Sequence, residues 1–365
     1  MIRFLEPEAG FAELAEPIRA ATERVLMHGP YIGGPECAAF EEEFAAHVGA
    51  ANGIGCGNGL DAIVLALRAF GIGKGDEVIV PSHTYIATWL AVSAVGANVV
   101  PVEPDPATMQ IDPAQIENAI TSATRVILPV HLYGVPSDMP AIEAIAERHG
   151  LIVIADAAQA HGAAIGDRPV GAFGDAACWS FYPGKNLGAA GDGGAVTCRE
   201  PEIAARVRML SNYGSTHKYH NEERGTNSRL DPLQAAILRT KLGLLDEWNE
   251  RRRAIAGLYL DSLAPFGCDL PSVPDGSRSA WHLFVIRLDD RDRVQAALHA
   301  AGVQTLLHYP VPPHLQPAYA DKGWAEGAFP IAEAMAHRAL SLPIGPHMPL
   351  RDAARVADSL AAILT

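Results

Sequence analysis

Two hydrophobic rhythms alternate along the chain. After Asp76 it reads EVIVP, a continuous apolar run, then TYIATWLAVSAV with apolar residues at helical spacing, then a Gly-Ala turn and a second run, NVVPV. Strand, helix, strand is the βαβ signature, because a strand covered by helices on both faces has no polar side to show. The pattern recurs at Val126 to Val130 (VILPV), followed by a capped helix from Ser137 with Met139, Ile142 and Ile145 on one face. Gly150 stops that helix, and LIVIA follows. Two more runs, CWSFY and GAVTC, flank a glycine-rich loop from Pro183 to Gly194, and a helix is expected from Pro201 to about Asn212. The first lobe is therefore α/β.

Asp231-Pro232 supplies a cap and a first helical position for a long helix reaching about Leu263, with Gly243 placed to bend it. Beyond the Pro/Gly-rich segment PFGCDLPSVPDGS a smaller unit is predicted: strand HLFVIRL, helix DRVQAALHAA, strand VQTLLHY and a last helix from about Pro349. These boundaries give a large domain over 1–248 with an N-terminal arm and a small C-terminal domain over 249–365. Two domains suit 365 residues at about 150 residues per domain. Pro81 to Val102 carries no Asp, Glu, Lys or Arg, yet its end prolines and internal His83, Ser93, Gly96 and Asn98 favour a buried helix and strand over a membrane span.

Composition narrows the function. Hydrophobic residues make up 49% of the chain and charged ones 19%, the balance of a folded protein. A formal net charge of -14 repels polyanions, so a nucleic-acid protein is not expected and any anionic ligand needs a local site. Cys37, Cys56, Cys178, Cys198 and Cys268 are odd in number and scattered, which specifies neither a disulfide framework nor a zinc site and fits a reducing cytoplasm. The start, MIRFLEPEAG, lacks the apolar core of a signal peptide.

Asp156 ends the run LIVIA, at the carboxyl edge where open α/β sheets bind ligands; a helix cap is the plainer reading, since AAQAHG follows. Lys185 lies in SFYPGKNLG, just past an apolar strand. Lysines in loops are usually solvated, but one partly desolvated at a strand end can form a Schiff base with a carbonyl. A strand-end aspartate followed by a strand-end lysine suggests pyridoxal phosphate, the acid pairing the pyridine nitrogen and the amine holding the aldehyde. A phosphate site is offered by GNGLDAIVLALRAFG, a glycine turn opening a helix at about Leu60, with Asp61 expected to point aside. GIGCGNGLD does not contain GxGxxG in register, which removes the main support for a nicotinamide enzyme. The cluster HKYH (His217 to His220) with Glu222 and Glu223 is weighed as a metal site and set aside, because loop histidines with varied neighbours seldom bind one. Lys218, Arg224 and Arg229 there form either a solvated loop or a local patch for an anionic substrate.

Taken in order, YIGGPECAAFEEEFAAHVGA, GNGLDA, GDEVIVPSHTYIAT, PVHLYG, IADAAQAHGA, SFYPGKNLGAAGDGGAV and TNSRLDPLQAAIL resemble the DegT/StrS-type nucleotide-sugar aminotransferases over nearly the whole chain. That resemblance implies the aspartate-aminotransferase-like fold of the fold type I pyridoxal-phosphate enzymes, with a large mixed-sheet domain and a smaller C-terminal α/β domain. It implies that Lys185 carries the cofactor and moves protons, that Asp156 keeps the pyridine nitrogen protonated, and that Gln159 bonds the ring hydroxyl. Tyr85 would stack on the ring. The amides of Gly59 and Leu60, the Ser180 hydroxyl and, from the neighbouring subunit, Asn227 would hold the phosphate. Leu60 departs from the commoner threonine or serine, which removes one hydroxyl contact.

The resemblance also implies a homodimer with shared active sites and L-glutamate as amino donor. Tyr219, Arg229, His308 and Tyr309 become candidates for donor or sugar contacts. Family dehydratases carry histidine where this chain has Lys185, so transamination is favoured; a regulatory protein on the same fold is the other competitor. GNGLDA, TWLAVSAVGA, GTNSRLDPLQAA and LLHYPVPPHLQPAY most resemble the branch acting on dTDP-linked 3-keto-6-deoxyhexoses, with a 4-keto substrate as runner-up.

Overall fold

The apolar runs become the strands of one seven-stranded sheet. The computed structural model, which describes residues 1–365, orders them Asn52–Cys56, Gly194–Cys198, Ala176–Ser180, Ile152–Asp156, Thr124–Ile127, Glu77–Pro81 and Asn98–Val102. Gly194–Cys198 runs antiparallel to both neighbours, and the remaining pairings are parallel. Both faces are covered, which is why the runs are unbroken: Val78 and Val80 join the core containing Trp89, while Ile79 between them joins the core containing Trp179. The expected βαβ unit is present, its helix spanning Ala87–Ala94.

Capping explains the boundaries of the helix Met139–His149. Gly150 ends Met139–His149 in the left-handed conformation (φ 64°, ψ 35°). Asp138, rather than Ser137, caps its start by accepting from the Ala141 amide at 3.1 Å, because the Ser137 hydroxyl already donates to the Val130 carbonyl. Asp231 stands before Pro232 without making a side-chain cap bond.

Two expectations fail. The long helix from Pro232 is two helices, Pro232–Leu242 and Leu245–Leu263. At the break Leu244 N donates to Lys241 O, the tighter bond of a last turn, next to Gly243, which has no side chain to stabilise a continuous helix. VQTLLHY is not a strand: its backbone pairs at separate points with two partners, Val303 with Ile2 and Leu306 with Ser341. Ala339–Leu342 instead pairs antiparallel with Phe284–Arg287. That strand and the helices Arg291–Ala300, Leu245–Leu263 and Leu350–Leu364 enclose a third core around Tyr259, Phe284 and Leu360, which also takes in Ile2. No helix is long and apolar enough to cross a membrane.

Candidate active site

Parallel strands deliver the residues at their carboxyl ends to one edge, and here that edge opens into a cavity of about 1360 Å³. Asp156 ends Ile152–Asp156, Ser180 ends Ala176–Ser180, and Thr84 and Tyr85 follow Glu77–Pro81. Lys185 comes from the loop after Ser180, and all five line the cavity. His282, His308 and Tyr309 form part of the facing wall, with Phe4, Leu5 and Pro7 from the N-terminal arm.

Asp156 is 7% exposed and starts no helix, which disposes of the plainer capping reading. Its Oδ2 accepts from the Thr88 hydroxyl at 2.8 Å and its Oδ1 from the Ala158 amide at 3.1 Å. Burial raises its pKa, while Thr88, the Ala158 amide and Lys185 pull the other way. The Lys185 amine keeps access to the cavity but is enclosed on its other sides, and that desolvation brings its pKa down to about 8 against the opposing pull of Asp156. Burial also lowers His308 to about 4 and His282 well below the ordinary imidazole range, Lys185 adding to both, so these two imidazoles are neutral at pH 7.

The helix Gly59–Ala69 begins at the cavity. Its Asn58 cap accepts from the Asp61 amide at 2.9 Å, leaving the amides of Gly59 and Leu60, both cavity-lining residues, without acceptors in the helix. A Cβ on Gly59 would lie 2.7 Å from Ser180 Cβ, so only glycine lets this turn meet the strand end. Asp61 does point aside: its Oδ2 accepts from the Ser228 hydroxyl at 2.6 Å. The residues therefore fit pyridoxal phosphate. A buried carboxylate, an amine that makes no hydrogen bond within the chain, and a helix start lined by amides and a hydroxyl share one cavity.

Gln159 is in place but engaged. Its Oε1 accepts from the Tyr133 amide at 2.6 Å and its Nε2 donates to the Tyr309 hydroxyl at 3.1 Å. Tyr85 is 54% exposed and packs at 39° to the Tyr309 ring, 5.2 Å between centroids. His308 Nδ1 lies 2.8 Å from the Ser341 hydroxyl, and the Tyr133 hydroxyl donates to the His308 carbonyl.

Three candidates do not reach this cavity. Tyr219 is 91% exposed in the hairpin formed by Ser215–His217 and His220–Asn221. Arg229 donates to Asn212 Oδ1 at 2.8 Å and lies over the Tyr213 ring. Asn227 pairs with Asn212 by a backbone bridge. His217 and His220 face each other across the hairpin, and no group of three metal-ligating side chains forms there or elsewhere. Sequence reasoning missed Thr88 and His282. The first sits four residues after Thr84, one turn along the helix that begins behind Tyr85; the second opens a predicted strand and bears no other mark.

Residues 12–361 match the profile of the DegT/DnrJ/EryC1/StrS aminotransferase family. The chain is 55% identical over 362 residues to the erythromycin biosynthesis sensory transduction protein EryC1 of Saccharopolyspora erythraea, covering 99% of each. It is 53% identical over 360 residues to the dTDP-3-amino-3,4,6-trideoxy-alpha-D-glucose transaminase of Streptomyces venezuelae, covering 98% of this chain and 95% of that one. The crystal structure of S. venezuelae DesV in complex with a ketimine intermediate superposes with a TM-score of 0.98 at 53% identity, over 100% of this chain and 98% of the other. With sequence and fold in agreement over nearly its whole length, the chain belongs to the DegT/DnrJ/EryC1/StrS aminotransferase family.

Proposed function

We propose that this aminotransferase uses pyridoxal phosphate to deliver an amino group, taken from L-glutamate, to carbon 3 of a dTDP-linked 3-keto-6-deoxyhexose. The observation that carries the reading is the shared cavity of Asp156 and Lys185, a buried carboxylate and a desolvated amine free of internal acceptors. The S. venezuelae relative, whose name specifies a dTDP-3-amino sugar, supports the keto position. When bound, pyridoxal phosphate supplies an electron sink for charge left as a proton departs the amino-bearing carbon.

The chain's own residues divide the remaining work. The Asp156 carboxylate holds a proton on the ring nitrogen, and Thr88 and the Ala158 amide keep that carboxylate ionised and aimed. Lys185 would hold the cofactor's aldehyde carbon through Nζ, with water leaving as that bond forms. Once released, it carries the proton as a general base and acid, a task for which a pKa near 8 is suited. The amides of Gly59 and Leu60 donate to the phosphate, as does the Ser180 hydroxyl; Leu60 adds no hydroxyl of its own. Gln159 would donate through Nε2, which bonds Tyr309 here, to the ring hydroxyl, and Tyr85 would stack on the ring. His308 and Tyr309 form the wall against which donor and sugar lie.

The active unit is a homodimer. Asn227, Tyr219 and Arg229 lie away from their own chain's cavity, and serve as Asn227 of the partner subunit on the phosphate and as the partner's Tyr219 and Arg229 on donor or sugar. Leu26, Met27, Tyr31 and Ile32, close together in sequence, are large apolar side chains left exposed, as an interface would need. Two lobes, 1–248 and 249–365, enclose the cleft, and five unpaired cysteines suit a reducing cytoplasm.

Incubating the protein with glutamate and either the 3-keto or the 4-keto dTDP-sugar, and locating the new amine by NMR, tests the proposal. Amination at carbon 4 alone rejects the substrate, loss of a sugar hydroxyl without amination indicates a dehydratase, and binding of upstream DNA without turnover indicates a regulator.

A further inference from the structure

Lys241 is 4% exposed, and no carboxylate lies within ion-pair distance of it, in a chain with 42 acidic residues against 28 basic ones. Its ammonium donates to the Gly188 carbonyl and sits over the Phe11 ring, 4.2 Å from the centroid, with the Trp248 ring at 5.9 Å. A buried ammonium without a counter-charge opposes folding, and an apolar residue of equal length would fill the same slot at less cost. Its presence calls for a gain elsewhere.

What it holds is the loop that carries Lys185. The Lys185 amide donates to Tyr182 O and the Ala189 amide to Phe181 O, both at 2.8 Å, so residues 181–189 close into a compact turn with Lys185 at its centre. A Cβ on Gly188 would lie 2.4 Å from Pro183 O, so the turn has no slack at that point. Lys241 ties the far side of this turn to the helix Pro232–Leu242. Asn186, beside Lys185, donates to Asn249 Oδ1 at 2.8 Å and to Ala280 O at 2.7 Å. Phe11 belongs to the helix Pro7–Glu13, whose first residue lines the cavity, while Lys241 itself does not.

We infer that Lys241 is a positioning residue: through Gly188 and Phe11 it fixes the Lys185 turn and the N-terminal arm to one helix, and so sets where the Lys185 amine stands in the cleft. The inference rests on the reading of Lys185 as the residue that holds the cofactor.

Lys241→Met keeps an unbranched side chain one atom shorter and removes its charge and its donor. The expected result is a folded protein whose kcat falls about tenfold with little change in KM, because displacement of a reacting group by a fraction of an ångström is felt in the rate. The pH at which the visible cofactor band titrates should move. In the cofactor-free chain, hydrogen exchange at the amides of 185 and 189 should quicken. A folded Lys241→Met with wild-type exchange and an unmoved band titration would overturn the inference. If that variant does not fold, Phe11→Leu, which removes only the aromatic face, should shift exchange and titration in the same direction; wild-type behaviour there would equally overturn it. Borohydride reduction of the holoenzyme followed by peptide mapping separates the two readings. A label away from Lys185 sinks the assignment of that lysine, whereas a label on Lys185 with unaltered Lys241→Met sinks only the positioning role.

Discussion

Replacing Thr88 with valine exchanges a hydroxyl for a methyl of the same shape and removes the 2.8 Å bond to Asp156 Oδ2. The carboxylate keeps the Ala158 amide and the attraction of Lys185. A hydrogen bond to a buried ionised group contributes about 1.5–3 kcal/mol. At about 1.4 kcal/mol per pH unit this amounts to roughly one to two units of pKa. The sign follows from which form the bond favours: Thr88 donates to the ionised carboxylate, so losing it makes protonation easier and raises a pKa that burial has already raised. Turnover that needs ionised Asp156 should therefore lose its acid limb sooner, the limb of kcat/KM moving to higher pH by up to one to two units. Rates on the alkaline plateau should stay near wild type. Thr88→Ser, which keeps the hydroxyl, should keep the limb. The assay is the pH profile of amination by the loaded enzyme, read beside the pH dependence of its visible band. A folded, cofactor-binding Thr88→Val with an unmoved acid limb would refute the assignment of Thr88 as the group that keeps Asp156 ionised.

Other outcomes follow from the same geometry. Lys185→Ala should abolish turnover and the borohydride-trapped label on the chain; retention of both would remove Lys185 from its role. Gly59→Ala puts a Cβ 2.7 Å from Ser180 Cβ, so cofactor affinity measured by fluorescence titration should fall at least about tenfold, an ordinary result for a displaced phosphate contact. Mixing inactive Lys185→Ala protein with an inactive Asn227→Ala variant should restore part of the activity through hybrid dimers; no recovery despite subunit exchange, seen by native mass spectrometry, would argue that each site is built from one chain. Gly150→Ala meets no atom within 4 Å but keeps φ at 64°, so denaturant melts should show a loss of about 1–2 kcal/mol with kcat unchanged.

The capped helices and apolar runs were readable because each is set by neighbours in sequence: Gly150 stops its helix through its own backbone freedom, and EVIVP is a strand because both its faces are apolar. Gly243 marked where the long helix would bend, but not that it would break in two, which depends on the packing of Leu245 and Trp248 beyond it; nor was the irregular path of VQTLLHY readable, because it depends on Ile2 and Ser341, both far outside any local pattern. Ala339–Leu342 was overlooked for a similar reason: four residues carry too little pattern, and its ladder to Phe284–Arg287 decides its conformation.

By itself the sequence determined the chemistry available. An aspartate ends one buried strand and a lysine follows another in a glycine-rich loop, a glycine turn opens a helix, and ordered motifs mark the family. Those are properties of short segments, written in residue type and spacing. Only the tertiary structure decided how the groups are tuned and brought together. Thr88 meets Asp156 from 68 positions away, desolvation sets the Lys185 pKa near 8, and Lys241 grips the Lys185 turn from another helix. The same folding leaves Asn227, Tyr219 and Arg229 outside the cavity. Hydrogen bonds and burial depend on distance in space, and a linear pattern carries that distance only within a few residues of its own chain.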